Sequence, residues 1–222
     1  MRPEEELASL KVWADDEGYK VRVAQALDAI SEATRTHKCY VAYSGGKDST
    51  CLLHLALQVD PDILVLHWDY GPYYMPRELE AEIIRNARRL GARNLWVVSS
   101  KEYLEVGRGN TNIWGKNFFG WVIPKLREEG YNLAIVGLRK EESLSRRRRM
   151  ARKESLGIEE LWPLADWTWR DVWAYILSKD LPILSHYLRY GPIVGWDKVR
   201  LGTFFGGVCD ALDQIIYYQY RH

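Results

Sequence analysis

The chain has 222 residues, enough for one full hydrophobic core, and its 47% hydrophobic and 27% charged content is that of an ordinary globular protein. A formal net charge of +1 gives no ground for strong autonomous nucleic-acid binding. Cys39, Cys51 and Cys209 are scattered without any CxxC, which argues against a disulfide framework and against a zinc or iron–sulfur centre held by cysteine, and the charged opening MRPEEELASL with no long apolar run leads us to expect a cytoplasmic protein without membrane attachment.

Glu4 to Thr36 carries apolar residues at helical spacing and reads as two helices broken near Gly18, covering one face of a sheet or an oligomer interface. We take residues 1–38 as an N-terminal helical segment, 39–190 as a nucleotide-binding α/β domain and 191–222 as a C-terminal extension. The apolar run Cys39 to Tyr43 is a strand, and it leads into Ser44–Thr50, SGGKDST, and then into the helical run Cys51 to Leu57. Strand, glycine turn and helix in that order make a phosphate cradle. Gly45 and Gly46 let the backbone approach a ligand, while the helix beginning near Lys47 turns its free N–H groups and positive dipole end to the same point. Ser44, Ser49 and Thr50 add hydroxyls, Lys47 adds a cation, and the Asp48 carboxylate suits a magnesium ion. The motif is not the common P-loop, which needs GxxxxGK followed by Ser or Thr.

Asp62 to Trp68 is a second, doubly buried strand that ends in His67, Trp68 and Asp69. At that end Trp68 is placed to flank an adenine and Asp69 to bond a ribose or substrate or to form a simple turn; His67 reads first as a satisfied core imidazole. A helix over Pro76 to Leu90 and a strand over Asn94 to Ser99 follow. Residues 100–117 lack periodicity and are read as a lid or a recognition loop. Phe118 to Glu129 is a helix in which Pro124 is an awkward internal residue expected to kink it. The fourth strand, Tyr131 to Leu138, delivers GLRKEES at Gly137–Ser143, where the Arg139 guanidinium suits an α-phosphate or sulfonate. Glu142 and Ser143 then cap the next helix or bind substrate. Of the four arginines Arg146–Arg149, one or two can face the pocket, Arg146 first by its spacing. Leu161 to Trp167 is apolar, Thr168 to Asp171 is a T-x-x-D helix cap, and Leu181 to Tyr190 is a turn and helix. The aromatic tail Ile215 to Tyr220 is read as a docking helix or dimer contact.

Taken together, SGGKDST, LHWDYG, GLRKEESLSR and PLADWTWRDVWAYI resemble, in order, the motifs of the PAPS reductase family. The loop itself is similar to the SGGxDS PP-loop of ATP pyrophosphatases. The resemblance runs from about Tyr40 to Tyr190 and is closest to the small, ATP-using subunit of ATP sulfurylase. It implies an adenine nucleotide α-hydrolase-like fold, a five-stranded, mostly parallel sheet with helices on both faces and helical additions at each end. It also implies that Ser44, Gly45, Gly46, Lys47, Asp48 and Ser49 bind the pyrophosphate end of ATP with magnesium at Asp48 and that Arg139 lies near the α-phosphate; Tyr43, Thr50, His67, Trp68, Asp69 and Gly137, at the same strand ends and loop, complete the expected nucleotide-binding set. Lys47, Asp48 and Arg139 would serve the chemistry, and Glu142, Ser143 and Arg146 the substrate. Asp166 and Trp167 match a structural element.

The departures shape the expected function. The reductases of this family carry a C-terminal ECGxH, and nothing here matches it; Cys209 stands alone in GGVCDAL. The full SGGKDST loop points instead to transfer of AMP from ATP–Mg to an acceptor, with release of pyrophosphate. The alternatives are a PAPS or APS reductase or sulfotransferase, and a nucleotide-binding subunit of a nucleic-acid sulfur-modification complex. A homodimer is expected, with a protein partner or a nucleic-acid acceptor as further possibilities.

Overall fold

The computed structural model describes residues 3–71, 75–99, 118–152 and 157–201. The aromatic tail, Cys209 and the loop over 100–117 lie outside the described residues. The chain opens with α1 (Pro3–Val12), a 3-10 turn (Trp13–Asp15) and α2 (Glu17–Thr36). The break falls at Asp16, whose side chain accepts from the Tyr19 N–H at 2.8 Å and caps α2, so Gly18 lies inside the first turn.

Next come β1 (Cys39–Ala42), α3 (Lys47–Val59), β2 (Leu64–Asp69), α4 (Arg77–Arg89) and β3 (Leu95–Ser99). A π-helical turn, Phe118–Val122, then runs into α5 (Ile123–Glu128). Pro124 sits in the first turn of α5, directly after the π-helical turn and inside one continuous helical run from Phe118 to Glu128. After β4 (Leu133–Val136) follow α6 (Leu144–Ala151), β5 (Glu159–Leu161), α7 (Trp169–Ser178) and α8 (Ser185–Val194).

The five strands form one parallel sheet in the order β3-β2-β1-β4-β5, with Tyr40 opposite Leu64 on one side of β1 and Cys39 opposite Leu133 on the other. Side chains alternate across it with period two. Cys39, Val41, Val65, Leu133 and Ile135 pack under α2, α3, α4, α7 and α8. Tyr40, Leu64, Leu66 and Ala134 face the opposite way, against Phe119, Val122, Ile123 and Leu126. Both faces are thus covered, which is why the strands read as unbroken apolar runs. The one strand hidden in the sequence is β5, a three-residue edge whose residues Glu159 and Glu160 carry no apolar pattern.

The N-terminal helices are pinned by Asp171, a fully buried carboxylate on α7. It accepts from Arg22 at 2.6 and 3.0 Å and from the Trp13 indole at 2.9 Å, while its second oxygen completes the Thr168 capping box. Burial pushes this carboxyl up, yet the Arg22 hydrogen bond and the Thr168 N–H hold it below its ordinary value. Sheet order turns round at β1, so the crevice between the carboxyl ends of β1 and β4 is the topological switch point where open parallel sheets bind ligands.

Candidate functional site

At that crevice β1 ends at Ala42, and the four residues Tyr43 to Gly46 turn the chain into α3. Gly45 has φ +79°, and a Cβ there would lie 2.5 Å from Ile83 Cγ1 on α4, so only glycine fits. The two serines close the loop on itself. Ser49 Oγ donates to Gly46 O at 2.9 Å and accepts from the Ser44 N–H at 3.2 Å, and the two hydroxyl oxygens lie 3.0 Å apart. Gly137, just past β4, lets that strand end approach the first turn of α3: an added Cβ would meet the Asp48 carbonyl and Ser49 N at 3.3 Å. The Lys47 N–H donates to the hydroxyl of Tyr187 on α8 at 3.2 Å.

Charge is concentrated here and largely buried. The Asp48 carboxylate stands between two cations, with Lys47 Nζ 3.3 Å from Oδ2 and Arg139 Nε bonded to Oδ1. Burial pushes the Asp48 carboxyl up, but Lys47 and Arg139 overcome that and hold it far below the usual carboxylate range. Arg139 is 3% exposed; it also donates to Glu141 at 2.8 Å and to the Trp167 carbonyl at 3.4 Å. Burial works against its charge, and Asp48 and Glu142 more than restore it, raising its pKa. These groups line a cavity of about 1090 Å³ that also takes in Tyr43, Trp68, Phe118, Arg146, Lys198 and Arg200. The volume is ample for a small-molecule ligand.

The fold agrees with what the chain is similar to. The phosphoadenosine phosphosulfate reductase domain matches residues 38–196, more than half of the chain. The chain belongs to this family. Among relatives in the phosphoadenosine phosphosulfate reductase family, a sulfate adenylyltransferase subunit 2 from Rhizobium sp. (strain BR816) is 31% identical over 200 residues, covering 74% of this chain and 66% of the relative. An adenosine 5'-phosphosulfate reductase from Bacillus cereus (strain Q1) is 29% identical over 196 residues, covering 82% of each chain. The chain therefore spans just under two thirds of the first relative's length. Family members are enzymes of sulfur metabolism, and the two names leave the particular reaction open between them.

Within this member of the phosphoadenosine phosphosulfate reductase family, the residues singled out in the sequence fall in two groups. Ser44, Gly46, Lys47, Asp48, Ser49, Trp68, Gly137, Arg139, Glu142 and Arg146 line the cavity with Tyr43. Trp68 stands edge-on to Phe118 with ring centroids 5.6 Å apart. Gly45, Thr50, His67, Asp69 and Ser143 do not line it. Strand alternation turns His67 to the other face, where Nδ1 lies 2.8 Å from the Tyr43 carbonyl and Nε2 lies 2.7 Å from Glu80. A carbonyl only accepts, so Nδ1 carries a proton and the imidazole braces the residue before the loop. Asp69 is a turn residue: it accepts from the Gly71 N–H at 2.8 Å and from both terminal nitrogens of Arg77. Ser143 caps α6 by accepting from the Arg146 N–H at 3.1 Å. Both Arg146 and Arg149 reach the cavity, and they pair with Glu142 and Glu160. Glu141 was not anticipated; it accepts from Arg139 and from the Trp169 N–H at 2.6 Å, tying the cradle to the start of α7. Nor was Tyr187, which sits 140 residues from the loop it touches, with no local signal to mark it.

A carboxylate group suited to a metal is sparse here: among the described residues, no three or more His, Cys, Asp or Glu side chains gather to hold an ion. Among the described residues no helix is long and apolar enough to cross a membrane.

Proposed function

We propose that the chain is an ATP pyrophosphatase of the phosphoadenosine phosphosulfate reductase family, which transfers AMP from ATP–Mg to an acceptor and releases pyrophosphate. The observation that carries this reading is the pair of buried cations, Lys47 and Arg139, flanking Asp48 at the N-terminus of α3 beside a cavity wall containing Trp68. The pyrophosphate end of ATP is assigned to Ser44–Ser49, where N–H groups and Lys47 balance the charge of the leaving group. Magnesium arrives with the ATP, and Asp48 is the carboxylate that would reach it. Arg139, at the end of β4, is assigned to the α-phosphate, where added negative charge develops as an acceptor oxygen attacks in line. The protein supplies no nucleophile in this scheme. Sulfate fits the acceptor, as the names of the adenylyltransferase relatives suggest, and so does an oxygen on a nucleic-acid base or small metabolite being activated for substitution. Those relatives are named as subunits, which favours a protein partner; a homodimer and a cytoplasmic setting complete the reading.

Calorimetry tests it. ATP–Mg, a non-hydrolysable ATP analogue, PAPS and APS are titrated into wild type and Lys47→Ala. Tight ATP binding that the variant loses, with weak binding of PAPS and APS, is the expected pattern. Preference for PAPS or APS over ATP would overturn it in favour of the second reading, a sulfonucleotide reductase. That second reading draws on the reductase relative, which aligns over 82% of both chains. A Cys209→Ser variant with undiminished turnover would remove its protein-thiol form.

A further inference from the structure

Tyr187 is 1% exposed, yet it is part of the cavity wall. Its ring is held edge-on to Trp173, with centroids 5.8 Å apart, and stacks on His186 at 4.5 Å. A phenol has one proton to give and lone pairs to receive. The receiving side is occupied by the Lys47 N–H at 3.2 Å. For the proton, no acceptor among the described residues lies within hydrogen-bond distance, and a buried donor left unspent is costly. Burial also pushes the phenol far above its ordinary value, so the group keeps its proton and remains a donor. A Cβ on Gly46 would stand 3.6 Å from this hydroxyl, which places the oxygen directly against the loop.

We propose that Tyr187 is a phosphate-binding residue of the cradle: its O–H donates to an oxygen of the pyrophosphate end of the nucleotide while its oxygen holds the Lys47 N–H. The assignment rests on the nucleotide reading above and adds to it a ligand from α8, outside the four motifs. It also gives the loop a rigid back wall. The first N–H of α3 is committed to the phenol, so the incoming oxyanion meets a neutral donor at that point and the remaining N–H groups of the first turn beyond it.

The experiment compares wild type and Tyr187→Phe by calorimetry with inorganic pyrophosphate, ATP and AMP, and by thermal melting. Phe keeps the ring and its packing against Trp173 and His186. A hydrogen bond to a charged group predicts that Tyr187→Phe binds pyrophosphate and ATP about 10-fold or more weaker, with AMP changed by less than about 2-fold. Equal affinities for pyrophosphate in the two proteins would overturn the assignment. So would a uniform loss for all three ligands accompanied by a large fall in melting temperature, which marks a structural role. If the wild type binds neither ATP nor pyrophosphate, the nucleotide reading itself fails, and Tyr187 as a phosphate ligand falls with it. If wild type binds and only the comparison fails, the nucleotide reading stands.

Discussion

The Asp48–Arg139 pair offers the most direct test of the charge arrangement. Removing one member of a buried, hydrogen-bonded pair costs about 3–5 kcal/mol, because the other is left uncompensated. In Arg139→Met the remaining Asp48 still has Lys47 Nζ at 3.3 Å, so we expect the lower end, about 3 kcal/mol. For a chain of this size that is a fall of about 6–12 °C in melting temperature. Asp48→Asn should cost a similar amount, since Lys47 and Arg139 are then two buried cations beside a neutral amide. The double variant removes charges of both signs and should be less damaging than the sum of the singles, with a coupling of about 2 kcal/mol. Denaturant unfolding at pH 7 measures all four proteins. The pH arm has a definite sign. The folded-state pKa of Asp48 is depressed, so its contribution is fully present above the ordinary carboxylate range and fades as pH falls through and below it. Arg139→Met should flatten that acid-side loss. Single-variant costs below about 1 kcal/mol, additive in the double variant and with unchanged acid profiles, would refute the buried-pair argument.

Gly45→Ala should destabilise by about 2–4 kcal/mol, from the left-handed backbone and the clash with Ile83, and weaken ATP binding; unchanged melting would contradict the loop geometry. Asp171→Asn should loosen α1 and α2 first, read as faster amide exchange in residues 5–30 before the sheet, whereas uniform exchange rates would count against Asp171 as their anchor. Burial pulls the His186 pKa down from 6.5 to about 4, so the unfolded chain binds the extra proton between these values. Stability should therefore fall as pH drops from 6.5 toward 4, and His186→Asn should reduce that slope; identical slopes would dismiss the histidine as the cause. His67→Ala should leave Glu80 without its buried partner and Tyr43 unbraced, lowering both stability and ATP affinity, and a variant with wild-type affinity would confine His67 to the core.

What could be read from the sequence follows the range of the interactions. SGGKDST, the Thr168–Asp171 box and the unbroken apolar runs of the inner strands are local patterns, each spanning a few residues, and each forms where its spacing places it. Pro124 falls where a π-helical turn passes into α5, a change of helix type that no periodicity records. β5 escaped because an edge of three residues needs only backbone partners, and its Glu side chains face Arg149 and solvent. Arg22 with Asp171, and Tyr187 with Lys47, join positions 149 and 140 residues apart. Nothing at either end announces the other; only the folded sheet brings them together.

The charge pattern of the cradle also bears on how a substrate would be received. Lys47 and Arg139 are buried enough that leaving them unbalanced would be costly, and Asp48 meets that requirement from within the chain. The same carboxylate then sets a threshold for ligands. An entering oxyanion has to offer the two cations more than Asp48 already does, which a doubly or triply charged phosphate chain does and a neutral nucleoside does not. Arg139 is held on three sides, by Asp48, Glu141 and the Trp167 carbonyl, so its guanidinium is oriented before any ligand arrives and little side-chain entropy is lost on binding. Glu141 extends that hold to the first N–H of α7, and Asp171 extends α7 to the N-terminal helices. The N-terminal helical segment is thus linked to Arg139 through α7 and two carboxylates, and a change at Arg22 should be felt at Arg139 through the placement of α7.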